Sequence, residues 1–282
     1  MSNSQFPTLG NSEAFSATRD AMHAYARVLG DCLKACRSKR KHWWHASLRP
    51  SLNGLTTGVV RAATDIEMEL DFRRASLHAR AGNDSGFDLA LDGQPASEVA
   101  ALVSEFMSGN GISNLELSGT DSSQIAWPAF SHVHAQSMGQ VLASVAAEME
   151  TFRAGVREET SPIQLWPHHF DLSMIWLPGE KIPGQDPKDE EYSDKQMNFG
   201  FAFGDEGIPE PYFYVTAYPT PDAMAATRLP TGSEWRTEGF NGAVLTYQTL
   251  RDASDAGGYL QEFWTALLAS GQQHMLAKDS ED

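Results

Sequence analysis

The sequence lacks a long hydrophobic run, and this absence excludes a helix that spans a membrane. No stretch of the chain reaches the roughly 18 consecutive apolar residues that mark a candidate spanning helix. The N-terminal stretch also lacks the charged and apolar blocks of a signal peptide. We therefore expect a cytoplasmic protein with no membrane partner.

Cysteine is scarce as well. The chain has two, Cys32 and Cys36, whose spacing places both on one face of a predicted helix. No second pair completes a zinc site. Thiols among apolar helix positions fit a buried role in a reducing compartment rather than catalysis.

Basic residues are few compared with acidic ones. Lys and Arg number 21 against 37 Asp and Glu, which gives a formal net charge of -16. Binding to nucleic acid needs clustered cations that release phosphate counterions, so this composition excludes it as a partner. The basic cluster at 37–41 follows the first predicted helix, and we interpret it as complementing the helix C-terminus.

Several catalytic and nucleotide-binding motifs are also missing. The chain has no Gly-x-Ser-x-Gly turn for a serine nucleophile, no phosphate-cradling P-loop and no Gly-x-Gly-x-x-Gly fingerprint. The sequence therefore argues against serine hydrolysis and against nucleotide binding by those routes.

The stretch from Ser161 to Glu180, SPIQLWPHHFDLSMIWLPGE, carries the densest set of reactive side chains. If a strand follows Pro167, alternation places His169, Asp171 and Ser173 together on the polar face. These groups can donate or accept hydrogen bonds or bind a metal. His169 is then a candidate acid or base, and Asp171 its orienting partner.

Hydrophobic periodicity predicts an α+β fold, with antiparallel sheets packed by about four helices. We expect a flexible lead-in over 1–15, a first α+β half over 16–118 and a second over 132–277, packed as one unit. The turn-rich piece at 119–131 marks the boundary. Two similar helix-strands-helix halves are a hypothesis, because His45-Ala46-Ser47-Leu48 resembles His169-Phe170-Asp171-Leu172.

Aromatic residues of the second half supply another indication of binding. On the predicted strand 196–204, Asn198 lies on a nearly bare face with glycines and alanine. Tyr212 and Tyr214 lie on the next strand, and Glu210 stands between prolines just before it. Either a helix packs on the bare face, or an aromatic-walled pocket binds a small molecule there.

His169-Phe170-Asp171 also matches the His-x-Asp half of a facial triad that holds non-haem iron. His45 completes the ligand set only if the two halves face each other. The alternative is a strand histidine and aspartate that are hydrogen-bonded within the fold. If a metal is bound, we expect His169, Asp171 and His45 to hold it.

Four blocks in the same order resemble a bacterial family known as domain of unknown function 5996. They are HWWH, SPIQLWPHHFDLSMIWLPGEKIPG, DEEYSDKQMNFGF and IPEPYFYVTAYP. The resemblance runs from about Trp43 to the closing helix. It implies one stand-alone unit and brings no activity, cofactor or catalytic residue.

Three functions stay open at this stage. The first is binding of a small organic molecule in a pocket of His45, His169, Asp171, Ser173, Asn198, Glu210, Tyr212 and Tyr214, with or without catalysis by His169. The second is a metal-dependent enzyme, and the third is a structural or interaction protein. The residues specify neither a cofactor nor an oligomeric state.

Overall fold

A computed structural model describes residues 5–113, 115–117, 125–189 and 191–276. Helices and antiparallel sheets alternate along the chain, so the fold class is α+β, as the sequence predicts. No helix in the described ranges has the length and apolar character needed to cross a bilayer.

Four helices are long, in agreement with the four that the periodicity predicts. The helices are α1 (Glu13–Cys36), α2 (Ala96–Gly109), α3 (His132–Ala154), α4 (Tyr247–Asp252) and α5 (Ala256–Met275), and two 3-10 helices span Lys41–Ala46 and Asp222–Ala226.

Most strands are short. They are β1 (Arg49–Pro50), β2 (Gly54–Thr56), β3 (Val60–Arg61), β4 (Asp65–Asp71), β5 (Ser76–Ala81), β6 (Gly86–Ala90), β7 (Glu159–Thr160), β8 (Gln164–Trp166), β9 (Asp171–Leu177), β10 (Gln196–Ala202), β11 (Tyr212–Tyr218), β12 (Ser233–Arg236) and β13 (Gly242–Thr246).

The chain folds as two units whose residues interleave. The described residues up to Ser144, together with Gln164–Asp171, form the first unit, and Val145–Ile163 with the residues from Leu172 onward form the second. The sequence places its boundary at 119–131 instead. The ranges differ because α3 contributes residues to both units.

The first unit contains an antiparallel sheet in the order β1-β2-β4-β5-β6, with β3 paired to β4. Helix α1 begins earlier than the sequence predicts, because the Ser12 side chain accepts a hydrogen bond from the Phe15 amide at 3.2 Å and caps it. The helix therefore starts inside the predicted lead-in 1–15. Phe6 and Phe15 there are both buried.

The second unit contains a sheet in the order β12-β13-β11-β10-β9-β7. Strands β10 and β11 are antiparallel, with Phe199 opposite Val215. On this face Phe213 lies 6.1 Å from the ring of Trp264 in α5. Phe199 lies 5.0 Å from Phe152. Large aromatic side chains thus fill the core between the sheet and its helices.

One segment that the sequence predicts as a strand forms a 3-10 helix instead. The alternation in HWWHASLRP favours a strand, but the segment Lys41–Ala46 coils, with φ of 51° at His42 and 57° at Trp43. Positive φ values are incompatible with an extended chain, so the strand is confined to Arg49–Pro50. The strand predicted at 112–118 is also wrong for residues 112, 113 and 115–117, and its other residues lie outside the described ranges.

Strand β9 begins four residues after Pro167, at Asp171. Before it, His168 and His169 lie in a turn closed by the Phe170 amide, which donates to the Trp166 carbonyl at 2.7 Å. Phe170 has a φ of 58°. The predicted alternation of His169 with Asp171 is therefore wrong, because an extended chain is required to place residues two apart on one face.

Candidate functional site

A basic stripe on α1 forms one wall of the site in the first unit. His23, Arg27 and Lys34 recur at helical spacing with Gly30 between them, so they share one face of the helix. Gly30 is buried, His23 and Arg27 are half-buried, and Lys34 is exposed. The stripe thus runs from the protein interior toward solvent.

Three segments of the first unit meet at Gly30. A Cβ placed there would lie 2.8 Å from Pro167 Cγ and 3.4 Å from the carbonyl oxygen of Ala46. Only a residue without a side chain permits this approach. Gly30 therefore brings the 3-10 helix 41–46 and the turn after Trp166 against the basic stripe.

The turn places imidazole rings over this face of α1. His23 stacks on Phe170, with ring centroids 5.1 Å apart and an interplanar angle of 12°. The rings of His168 and His169 lie 4.3 Å apart, and both residues are exposed. We call His23, His45, His168 and His169, together with Arg27 and Lys34, the imidazole cluster.

His45 enters from the 3-10 helix and is held in one orientation. Its Nδ1 accepts a hydrogen bond from the Arg40 amide at 3.2 Å, so the neutral ring carries its proton on Nε2. The ring stacks on Trp43 at 5.5 Å. Trp43 is 42% exposed and has the Lys39 ammonium 5.8 Å from its ring centroid.

Three histidines of the imidazole cluster, His23, His45 and His168, have lowered pKa values. Partial burial lowers the pKa of His168 to about 4, and His169, Lys34, His23 and Arg27 also lower it. Burial also lowers the pKa of His45, with Lys34 among its cationic neighbours. Burial and then Arg27 lower the pKa of His23 to about 4. Because Lys34 acts on both His45 and His168, one positive field covers both segments.

Buried nitrogen atoms in this region have no hydrogen-bond partner within the described part of the chain. They are His23 Nε2, Trp44 Nε1 and Gln164 Nε2. Gln164 and Trp44 are neighbours, because the Ser47 hydroxyl donates to Gln164 Oε1 at 2.5 Å and lies 2.9 Å from the Trp44 carbonyl oxygen. An indole N–H and an amide NH₂ can only donate. Trp44 and Gln164 therefore each bury a donor without an acceptor among the described residues.

The residues that the sequence grouped into one pocket are distributed over both units. His45, His169 and Asp171 belong to the first unit, whereas Ser173, Asn198, Glu210, Tyr212 and Tyr214 belong to the second. Asp171 and Ser173 are buried in β9, but His169 is exposed on the turn. Within the described ranges, no three His, Cys, Asp or Glu side chains are arranged to hold a metal ion. The metal-dependent alternative gains no support from this geometry.

The bare face of β10 is covered by its neighbouring strand. A Cβ on Gly200 would lie 2.2 Å from the Tyr214 ring, so that ring occupies the space that the sequence left for a helix or a ligand. Tyr214 also packs on Phe240 at 6.1 Å. Tyr214 lies opposite Gly200 in the register, so its ring fills this face at Gly200.

Tyr212 has a structural role as well. Its hydroxyl donates to Asp205 Oδ2 at 2.5 Å, and Asp205 Oδ1 accepts from the amides of Gly207 and Ile208. Glu210 is exposed beside this turn. The Tyr212 side chain is thus part of the packed cluster with Ala202 and Val244. Asn198 remains half-buried on the same face.

Sequence reasoning missed His23, Arg27, Lys34 and Trp44. The signal for the first three was present, since they recur at helical spacing on a segment predicted as a helix. The spacing alone did not say what faces them. That information comes from the close packing of Gly30 on Pro167.

Comparison with known protein families identifies a match. The model of a family of unknown function, DUF5996, matches residues 6–275. Neither a curated protein nor a solved structure matches the chain. These comparisons assign no function to the chain.

Proposed function

The chain belongs to the DUF5996 family, and we propose that it binds a small organic anion at the imidazole cluster. The observation that carries this proposal is the presence of two buried donors without acceptors among the described residues, at Trp44 and Gln164, with the Lys41 ammonium 5.4 Å from the centroid of the Trp44 ring. Unsatisfied buried donors cost about 1 to 3 kcal/mol each. An anionic oxygen is the group that satisfies them at least cost.

The electrostatics of the imidazole cluster support an anion over other ligands. The chain as a whole carries a formal charge of -16, yet Arg27 and Lys34 both lower the pKa of His168. A positive field in an acidic protein selects for negative ligands and repels cations. A bound anion reverses this effect, because it favours the protonated imidazole.

The partners of Lys34 define how it contributes. Its ammonium lies 2.9 Å from Asp31 Oδ1, and the Asp31 side chain is only 3% exposed. This carboxylate neutralises part of the positive field and holds the lysine in place. Arg27 has no such ion pair within the described residues. We therefore assign the main anion contact to its guanidinium, which can form a bidentate pair with an oxyanion.

An aromatic surface supports the organic part of the ligand. Trp43 is 42% exposed and stacks on His45 in the 3-10 helix. Exposed tryptophan offers a large rigid apolar face at low entropic cost. The ligand class is therefore a carboxylate or phosphate attached to a planar or apolar group.

The test is isothermal titration calorimetry with citrate and benzoate, together with NMR of the histidine rings. We expect binding that perturbs the His45 and His168 signals and that weakens with rising salt. Arg27→Met should weaken binding at least about tenfold, because one charge-assisted pair contributes about 1.5 to 3 kcal/mol. The matched control is Arg228→Met, which removes an exposed arginine of the second unit.

Two results would contradict the proposal. One is the absence of any organic anion binding at millimolar concentration. The other is an equal loss of binding in Arg27→Met and Arg228→Met, which would assign the effect to net charge rather than to the imidazole cluster.

A further inference from the structure

A cavity of about 420 Å³ lies in the first unit, away from the imidazole cluster. One wall is a face of α3, and the other is formed by the loop before β2 and the turn after β4. Its main lining residues are Asn53, Arg73, Gln136, Gly139, Gln140 and Ala143. The volume is within the range of about 300 to 1,000 Å³ typical of small-molecule sites.

The face of α3 that lines the cavity carries two small residues, Gly139 and Ala143, and two side-chain amides, those of Gln136 and Gln140. Gly139 and Ala143 are one helical turn apart, as are Gln136 and Gln140, so each pair lines up along the helix. A Cβ on Gly139 would lie 2.7 Å from Phe72 Cβ. The glycine thus lets the turn after β4 approach the helix closely.

The opposite wall is held in place by the backbone. The Asn53 carbonyl accepts hydrogen bonds from the amides of Phe72 at 2.9 Å and Arg73 at 3.3 Å. These bonds tie the two loops together and leave both side chains on the cavity side. Backbone hydrogen bonds, rather than a contact between the two side chains, therefore position Asn53 and Arg73.

The polar side chains of the cavity are available to a ligand. Within the described ranges, the side chains of Asn53, Arg73, Gln136 and Gln140 make no hydrogen bond or ion pair. The neighbouring Arg74 differs, since its guanidinium lies 3.8 Å from Asp71 Oδ2. One arginine of the turn thus has a carboxylate partner, and the one that faces the cavity does not.

We propose that this cavity binds a small hydroxylated carboxylate. The Arg73 guanidinium can form a bidentate pair of hydrogen bonds with a carboxylate. Each primary amide donates and accepts at once, and a hydroxyl group does the same, so Asn53, Gln136 and Gln140 fit a chain of hydroxyls. The described lining contains no Asp or Glu, so an ammonium group would have no counter-charge there.

The test measures the binding of gluconate, glucose, glucosamine and acetate to the intact chain by isothermal titration calorimetry. We expect gluconate to bind and the other three to bind at least about tenfold more weakly, since each lacks the carboxylate or the hydroxyls. Arg73→Leu should weaken gluconate binding at least about tenfold. Arg74→Leu is the matched control and should leave it unchanged.

A second variant and a folding check complete the design. Gln140→Leu should also weaken gluconate binding, and the thermal midpoints of Arg73→Leu and Gln140→Leu should equal that of the native protein, because both residues are exposed. Failure of gluconate to bind the native protein would overturn the proposal. So would acetate binding as tightly as gluconate, or equal losses in Arg73→Leu and Arg74→Leu. The site is independent of the imidazole cluster, so Arg27→Met should bind gluconate normally.

Discussion

At the residue scale, Gly30 determines whether the imidazole cluster can assemble. We predict that Gly30→Ala destabilises the protein by about 1 to 3 kcal/mol. The added methyl would lie 2.8 Å from Pro167 Cγ, and this clash outweighs the helix propensity gain of about 1 kcal/mol for alanine. Urea unfolding measures the difference.

Gly109 offers a matched control for this substitution. It is the last residue of α2, and a Cβ there would meet nothing within 4 Å. We expect Gly109→Ala to leave stability unchanged or raise it by up to about 1 kcal/mol. If Gly30→Ala were equally harmless, the close packing on Pro167 would not be a constraint on the fold.

His168 carries the second residue-scale prediction. Its pKa is lowered to about 4 by partial burial and by His169, Lys34, His23 and Arg27, so the ring is neutral near pH 7. A bound anion raises that pKa, and binding must then take up protons. We predict that sulfate, whose charge is constant in this range, binds more tightly as the pH falls from about 8 to about 5.

The variant His168→Gln isolates this effect. Glutamine keeps a polar group of similar size but does not titrate, so the pH dependence of sulfate affinity should become shallower. Calorimetry in buffers of different ionisation heat would count the protons taken up. An unchanged pH profile in His168→Gln would remove His168 from the anion site.

At the element scale, the register of β10 and β11 couples Gly200 to Tyr214. We predict that Gly200→Ala is destabilising, since its Cβ would lie 2.2 Å from the Tyr214 ring. In a Tyr214→Ala background the same substitution should cost much less. A coupling energy of about 0.5 to 3 kcal/mol is typical of residues in direct contact, and additive effects would show that the ring can move aside freely.

The same two strands show what the sequence could predict. Alternation in QMNFGFAFG and PEPYFYVTAYP located both strands and their buried faces, because burial on one side leaves a period of two. It could not show that the bare face was filled. That depends on which tyrosine lies opposite Gly200, and cross-strand register is not contained in either segment alone.

The 3-10 helix and the turn before β9 show where the pattern misleads. HWWHAS and HHFDLS both alternate like strands, yet His42, Trp43 and Phe170 adopt positive φ. Such conformations are imposed by tertiary packing rather than by local preference. As a result His45 and His169 were identified as candidates from sequence, but the α1 residues that surround them were not.

At the scale of the whole molecule, weakly basic histidines limit stability in acid. The pKa of His23 is about 4 in the folded protein, against an ordinary value of 6.5. As the pH falls below 6.5, the unfolded chain therefore takes up a proton that the folded chain does not. Stability should be unaffected by His23 above pH 6.5 and should be lost between pH 6.5 and about 4, by at most about 1.4 kcal/mol per pH unit.

His23→Phe tests this prediction, because phenylalanine can keep the stack on Phe170 while it removes the titrating ring and the unpartnered Nε2. We expect the variant to lose less stability than the native protein between about pH 6.5 and about pH 4.5. Carboxylates also titrate in this window, but they do so in both proteins, so the difference isolates His23. His274→Phe, at an exposed position, is the control, and its stability should depend on pH as that of the native protein does. Parallel curves for His23→Phe and the native protein would mean that solvent reaches the His23 ring and that its burial does not control the acid limit.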